Sequence, residues 1–311
     1  MRFSLLVCIA GAAFLLGAAA VAVAQPILEG TENIDFDRPE AWAMKRSASL
    51  ALFTALAPPR DRHAGAVELA LEVGWNPSLS EEERRVGFNG TKVEDLNRLS
   101  VVPRPRVTVG LGRNWSLDAA YIPPVEVEGI TPNVVSLALE RPLWRVDNWV
   151  FGVRGYGQVG KIEGDITCTD AEAGIPPGEP GNEFGCEEPS NDETSLNYVG
   201  LGLTGGYRVP GTRDSAVHFG VFANYMDLEF QVDALTYGVR DQTTLVTDGW
   251  TYSFSTGFSW AVGRPMRMAL EAFYSPLAVT RPVRDDDDGT VRFESRNDAL
   301  FNLRAMISYV F

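Results

Sequence analysis

Past its first two dozen residues the chain has no stretch approaching ~18 consecutive apolar residues, so nothing further along can cross a bilayer as a helix. Basic residues are in deficit. The 27 Lys and Arg against 41 Asp and Glu leave a formal net charge of −14, which argues against a nucleic-acid partner. Histidine occurs twice, at His63 and His218, and cysteine three times, at Cys8, Cys168 and Cys186. That scarcity leaves no metal-ligand cluster to read, and no cofactor motif is present. No serine or acidic partner is set beside either histidine in a protease or esterase pattern, so no enzymatic activity is expected.

What is there begins with an export signal. Arg2 supplies the positive start, an apolar stretch runs from about Leu5 to Val23, and Ala22-Val23-Ala24 before Gln25 forms a cleavage site, so residues 1–24 read as a signal peptide. Cys8 lacks the small preceding residues of a lipoprotein signal, so lipid anchoring is not expected. Export carries Cys168 and Cys186 into an oxidising compartment, where they are expected to form one disulfide. A closed loop of about 19 residues contributes roughly 3 kcal/mol in the chain-entropy model. Two thiols without a nearby histidine do not make a metal site.

Period-two alternation dominates the mature chain. It marks ten strands: about 65–75, 101–111, 115–127, 133–141, 149–160, 196–208, 215–230, 249–262, 266–277 and 299–311. Their connections alternate in length. The short ones fall at 112–114, 142–148, 209–214 and 263–265; the long ones at 76–100, 161–195, 228–248 and 278–298, with 128–132 the one short member of that set. In the last strand Phe301, Leu303, Ala305, Ile307, Tyr309 and Phe311 share one face, and Asn302, Arg304, Met306, Ser308 and Val310 the other.

A secreted chain with such loops and an aromatic-terminated closing strand resembles the Gram-negative outer-membrane β-barrels. The resemblance covers about residues 64–311 and names a class, not a function. It implies an all-β, antiparallel up-and-down transmembrane barrel of ten strands, with twelve the alternative. It further implies outer-membrane lipid as surroundings and the barrel assembly machinery as a partner that reads Phe311. With the C-terminus periplasmic, Trp115, Trp149, Tyr207, Trp260 and Tyr309 fall near the inner rim, and Trp75, Tyr225, Trp250 and Tyr274 near the outer rim. Ten residues separate Trp250 from Trp260, roughly 33 Å of strand, or about 25 Å of height once tilted, the spacing of two aromatic girdles.

Residues 25–63 fit the pattern less well. Asp37-Arg38-Pro39-Glu40 reads as a helix start with Asp37 as N-cap, running through Met44. Residues 47–57 read as either helix or strand. As an eleventh strand they would prevent closure, so a plug or a periplasmic cap is expected. In loop 76–100, Ser78 or Ser80 is expected to cap a short helix. The acidic run Asp285–Gly289 reads as a solvated loop tip in preference to a Ca²⁺ site.

The inward parity carries Glu68, Glu72, Arg104, Arg106, Asp118, Glu126, Glu140, Arg154, Arg208, Arg267, Glu271 and Arg304, charges that are costly in a confined lumen unless paired. Ten strands lie near the filled end of barrel widths, so a general diffusion porin is not expected. A sector rich in glycine (Gly152, Gly200, Gly202, Gly206 and Gly220 among them) leaves space for the N-terminal segment or a narrow passage. His218 reads as a lumen hydrogen-bonding residue. The functional reading is a narrow or gated channel or binding barrel for small charged solutes. Its alternatives are a plugged barrel whose disulfide-stapled loops bind a surface partner and, behind that, a rim enzyme. The oligomeric state is left open.

Overall fold

In the computed structural model residues 26–212, 214–263, 265–284 and 291–311 are described. The signal at 1–24, with Cys8, and the acidic run Asp285–Gly289 lie outside the described residues.

Ten strands form the barrel: Val67–Trp75, Val101–Gly112, Trp115–Ile122, Ile130–Val146, Trp149–Gly164, Asp192–Arg208, Ala216–Gln231, Val239–Ala261, Met266–Ser275 and Leu300–Val310. Each pairs antiparallel with the next, and the tenth pairs back onto the first with Ile307 opposite Leu71, which closes the sheet. Closure gives each wall strand a hydrogen-bonded neighbour on both sides, the condition for crossing hydrocarbon. Residues 47–57 are not a strand, so the count is ten.

Side-chain alternation then sorts the two faces. Leu69, Leu71, Leu137, Leu139, Leu201, Leu203, Phe254, Leu270, Leu303 and Ile307 point out and are exposed; Asp118, Glu140, Arg154 and Arg304 point in and are buried. A band of exposed aliphatic side chains of this extent is stable only against lipid. The protein is an outer-membrane barrel. Trp75, Trp149, Trp250 and Tyr309 lie exposed on the outer face, with Trp115 and Trp260 half-buried among their neighbours. Around Trp149 the rings of Tyr207 and Phe219 lie at 4.8 and 6.4 Å. Phe311 donates its backbone N–H to Val67 O at 2.9 Å, fastening the chain end to the first strand.

Several strand limits differ from the sequence reading. The third strand stops at Ile122, where Pro123-Pro124 removes two ladder donors. The fourth runs on to Val146 through a bulge at Pro142/Trp144. The extra residue turns Trp144 to the exposed outer face, opposite Phe151, where the period-two count did not place it. The eighth strand begins at Val239, inside a stretch read as loop, and is 23 residues long, roughly 75 Å. It outruns the ninth strand, whose pairing with it ends at Phe254. The edge left bare is covered at Arg240–Val246 by a parallel strand, Ile27–Asn33.

The loop end of the barrel is built over. A hairpin of Ala278–Arg284 and Val291–Asn297 stands there. Arg281 donates to Glu82 O, Glu83 O and Arg85 O at 3.2, 3.1 and 2.9 Å, satisfying the last carbonyls of the short helix Glu81–Arg84. Ser80 caps that helix with Glu83 in a capping box. Cys168 and Cys186 are bonded, their Cα atoms 5.6 Å apart.

Candidate functional site: the lumen collar

After Ile27–Asn33 the chain turns at the loop end and enters the helix Pro39–Leu50. Asp37 is not its N-cap. Arg38 holds that position without a side-chain bond, and Asp37 instead accepts from Thr280 of the hairpin, at 2.6 Å through both its backbone and side-chain oxygens. The helix is anchored at the loop end by Trp42 Nε1 to Asp298 O (2.9 Å), Lys45 Nζ to Ala278 O (2.8 Å) and Arg46 Nη2 to Pro77 O (2.7 Å).

Beyond Leu50 the backbone descends through the barrel interior. Leu52, Phe53 and Leu56 are fully buried. Lower down, Pro58 and Pro59 fill the space above Gly206 and Gly152, where a Cβ would meet proline carbons at 2.3 and 2.9 Å. Elsewhere in the glycine-rich sector the space is taken by inward rings, Tyr156 over Gly200 and Phe222 over Gly202 and Gly220. At the turn end Arg62 meets Glu68 at 2.7 Å and Gly65 N donates to Gly110 O at 2.9 Å, which delivers the chain to its first strand. The N-terminal segment thus runs the length of the lumen, from the loop end to the turn end.

Four arginines from the wall hold it. A helix ending at Leu50 leaves its final carbonyls without partners and carries partial negative charge there. Arg304 donates to Ser49 O, Leu50 O and Leu52 O at 3.2, 3.3 and 2.6 Å. Arg104 reaches Ala51 O at 2.6 Å, Arg154 Phe53 O at 3.3 Å, and Arg106 Thr54 O at 3.0 Å. Tyr198 joins them, its hydroxyl accepting from Phe53 N at 2.9 Å and donating to Ala51 O at 3.2 Å.

The same arginines are charge-balanced by acids on neighbouring strands. Glu72 takes Arg104 at 2.5 Å and Arg106 at 2.8 Å. Asp118 takes Arg106 at 2.5 Å and Arg154 at 2.8 Å, and Glu140 takes Arg154 at 3.1 Å. Glu271 lies 3.9 Å from Arg304 and accepts from Thr54 Oγ1 at 2.6 Å. A guanidinium has five N–H donors, so carboxylates and carbonyls of the N-terminal segment are served together. Unpaired charge at this depth would cost several kcal/mol per ion.

Of the charges read from sequence as lumen residues, Glu72, Arg104, Arg106, Asp118, Glu140, Arg154, Glu271 and Arg304 meet in this collar. Glu68 lies below it, bound to Arg62 and to Ser308 Oγ at 2.5 Å. Arg267 stands half-buried at the turn end, 2.7 Å from Asp214. Glu126 is corrected: it is exposed in the connection after Ile122, because the prolines end the strand before the parity can place it inside. Arg208 is exposed as well. His218 is buried with Nε2 3.8 Å from Glu271 Oε2. The sequence reading missed Phe53, Thr54 and Tyr198. Only Tyr198 carried a signal, its inward parity.

Above the collar the loops are tied by a second buried ion cluster. Lys92 Nζ lies 2.9 Å from Glu94 Oε2 and 3.3 Å from Glu172 Oε1, and it donates to Thr167 O. Burial, with Glu172 and Asp192 adding to it against the pull of Lys92, pushes the Glu94 carboxyl up to about 7.

No family model matches the chain, and no curated protein matches it in sequence. Solved structures match its barrel. An outer-membrane channel from Pseudomonas putida F1 aligns at 11% identity over 83% of this chain and 100% of its own, TM-score 0.44. The outer-membrane protease OmpT of Escherichia coli aligns at 12% over 79% and 94%, TM-score 0.38. The translocator domain of the Neisseria meningitidis autotransporter NalP aligns at 11% over 81% and 91%, TM-score 0.39. The likeness is one of barrel form alone. Because a protease stands beside channels among these barrels, the expectation that the chain is not an enzyme is overturned, and the form leaves its enzymatic status unresolved.

Proposed function

We propose that this barrel is a gated conduit for small charged solutes, with residues 25–63 as its plug, 64–311 as the barrel and 1–24 as a cleaved signal. The observation that carries the reading is the collar, in which wall arginines hold backbone carbonyls of the N-terminal chain across the lumen. Carbonyl partners of a guanidinium are exchangeable for water at a net cost of about 1.5–3 kcal/mol per bond, less than a buried carboxylate pair would cost to break, so such a hold can be released stepwise. The apolar Leu52, Phe53 and Leu56 add roughly 1.5–3 kcal/mol each while buried, which keeps the closed form favoured.

On the turn-end side a basin of about 260 Å³ is lined by Arg60, Arg145, Arg208 and Arg267 with Asp61, Asp147 and Asp214, a polar vestibule suited to charged solutes. Phe311 is taken as the contact for the assembly machinery.

The test is ion selectivity. Currents through the refolded mature protein should switch between closed and conducting levels, and Arg106→Gln should move the reversal potential in a salt gradient toward cation preference. Openings whose selectivity is indifferent to Arg106 would place the path elsewhere.

A further inference from the structure

The lumen-facing parity changes character along the barrel. In the turn-end half it carries Asp118, Glu140 and Arg154; in the loop-end half the same strands present Ile122, Val134 and Ile162, and the next strand adds Leu196. Outer-membrane barrels are ordinarily polar inside, so an apolar inner sector calls for an apolar neighbour. The plug helix covers that sector only partly. It turns Ala43, Ser47 and Leu50 toward it, and the first two are too small to reach the wall. A chamber of about 120 Å³ remains between helix, wall and the loop residues Leu96 and Leu99. An apolar cavity only slightly larger than this binds a benzene ring.

One edge of the chamber is polar. Arg46 lines it and is 5% exposed, beside Asp95 and Arg98, which pair with each other at 3.2 Å; no carboxylate lies within 4 Å of the Arg46 guanidinium among the described residues, and its one hydrogen bond there is to Pro77 O. Asn76 stands beside it. Its Nδ2 donates to Leu99 O at 2.6 Å, which fixes the amide's orientation, and its buried Oδ1 has no partner. Glu83 attracts the Arg46 cation only from beyond salt-bridge distance, and a buried acceptor without a donor is costly; both residues line a cavity of a size for a small molecule.

We propose that the chamber is a binding site for a small amphiphilic organic acid. Its apolar part, one ring or a short chain, occupies the space left by Ala43 and Ser47; its carboxylate meets Arg46; a hydroxyl on it donates to Asn76 Oδ1. This deepens the conduit reading by naming a solute class for the same lumen. Because the occupant touches the plug helix and the wall together, its arrival and departure are coupled to plug position.

Calorimetric titration of the full mature protein in micelles tests the site independently of any current, so its failure is distinguishable from failure of the conduit reading. The probes are benzoate, 3-hydroxybenzoate, acetate and toluene. Benzoate should bind saturably at one site, 3-hydroxybenzoate, whose hydroxyl sits on the carboxylate's side of the ring, more tightly, and acetate not measurably. Ser47→Phe, which fills the chamber, should abolish benzoate binding. Ala43→Leu is the second filling variant should Ser47→Phe fold poorly, with folding read by gel mobility before and after heating. Arg46→Gln should weaken benzoate at least tenfold and leave toluene unchanged. Absence of saturable benzoate binding, or binding unaltered in either folded filling variant, overturns the site. Toluene binding as tightly as benzoate, with both unaffected by Arg46→Gln, overturns the acid class.

Discussion

The guanidinium of Arg106 lies 4.3 Å from the centre of the Phe53 ring. Arg154 and Arg104 stand at 4.9 and 5.0 Å from the same ring, so three cations from two strands converge on one side chain of the N-terminal segment. Stacking of this kind is worth about 2 kcal/mol when the cation is desolvated. Phe53 therefore ties the plug to the collar through its face as its neighbours do through their carbonyls.

Phe53→Ala removes that ring from a fully buried position. A fixed core would lose about 3–5 kcal/mol, but a plug has the option of leaving. The expected outcome is a larger fraction of time spent conducting, with the heat-induced gel shift of the barrel nearly unchanged. Phe53→Leu should fall between the two proteins.

Glu72 bridges Arg104 and Arg106, so Glu72→Gln leaves two buried guanidiniums short of countercharge. Breaking a buried pair from one side costs about 3–5 kcal/mol. Unfolding in denaturant should report a destabilisation of that order. Adding Arg104→Gln should cost less than the sum of the single changes, the signature of direct coupling.

The strand count, the alternation of loop lengths and the outward parity of most rim aromatics were legible in the sequence, because period two along a lipid-facing wall admits one register. Glu126 and Trp144 were misplaced for the same reason in reverse: two prolines ended one ladder early, a bulge added a residue to the next, and a parity count registers neither. The collar arginines and acids were legible as inward charges on adjacent strands. Their partners in the N-terminal segment were not. Leu50 to Ala57 is apolar at every position but Thr54 because it is surrounded by barrel, and such a run has no period to read. Arginine-to-carbonyl bonds also leave no trace in residue type.

The loop cluster around Glu94 makes stability depend on pH. The folded carboxyl is held up at about 7 against an ordinary value of 4.5, so the folded form binds the extra proton. Its contribution is fully present below pH 4.5 and is lost as pH rises through 7. Backbone hydrogen exchange in residues 84–95 and 165–175 should therefore quicken between pH 5.5 and 8.5, after correction for intrinsic rates. In Glu94→Gln that excess should vanish.

The strand Ile27–Asn33 lies at the loop end; the proposed removal of residues 1–24, with the loop end outward, predicts a chain start on the cell surface. An epitope inserted after Pro26 should be labelled by antibody on intact cells, as should one in the hairpin loop. An epitope at 210–212, in a turn at the opposite end, should be labelled only after permeabilisation.

Single-channel recording of the mature chain beside a version beginning at Pro58 asks the central question most directly. With the segment through the lumen removed and the barrel's fold verified by gel mobility, steady conductance is expected where the intact chain is mostly closed. Equal silence from both proteins would contradict the account, since the collar would then be a structural filling and the lumen no path at all.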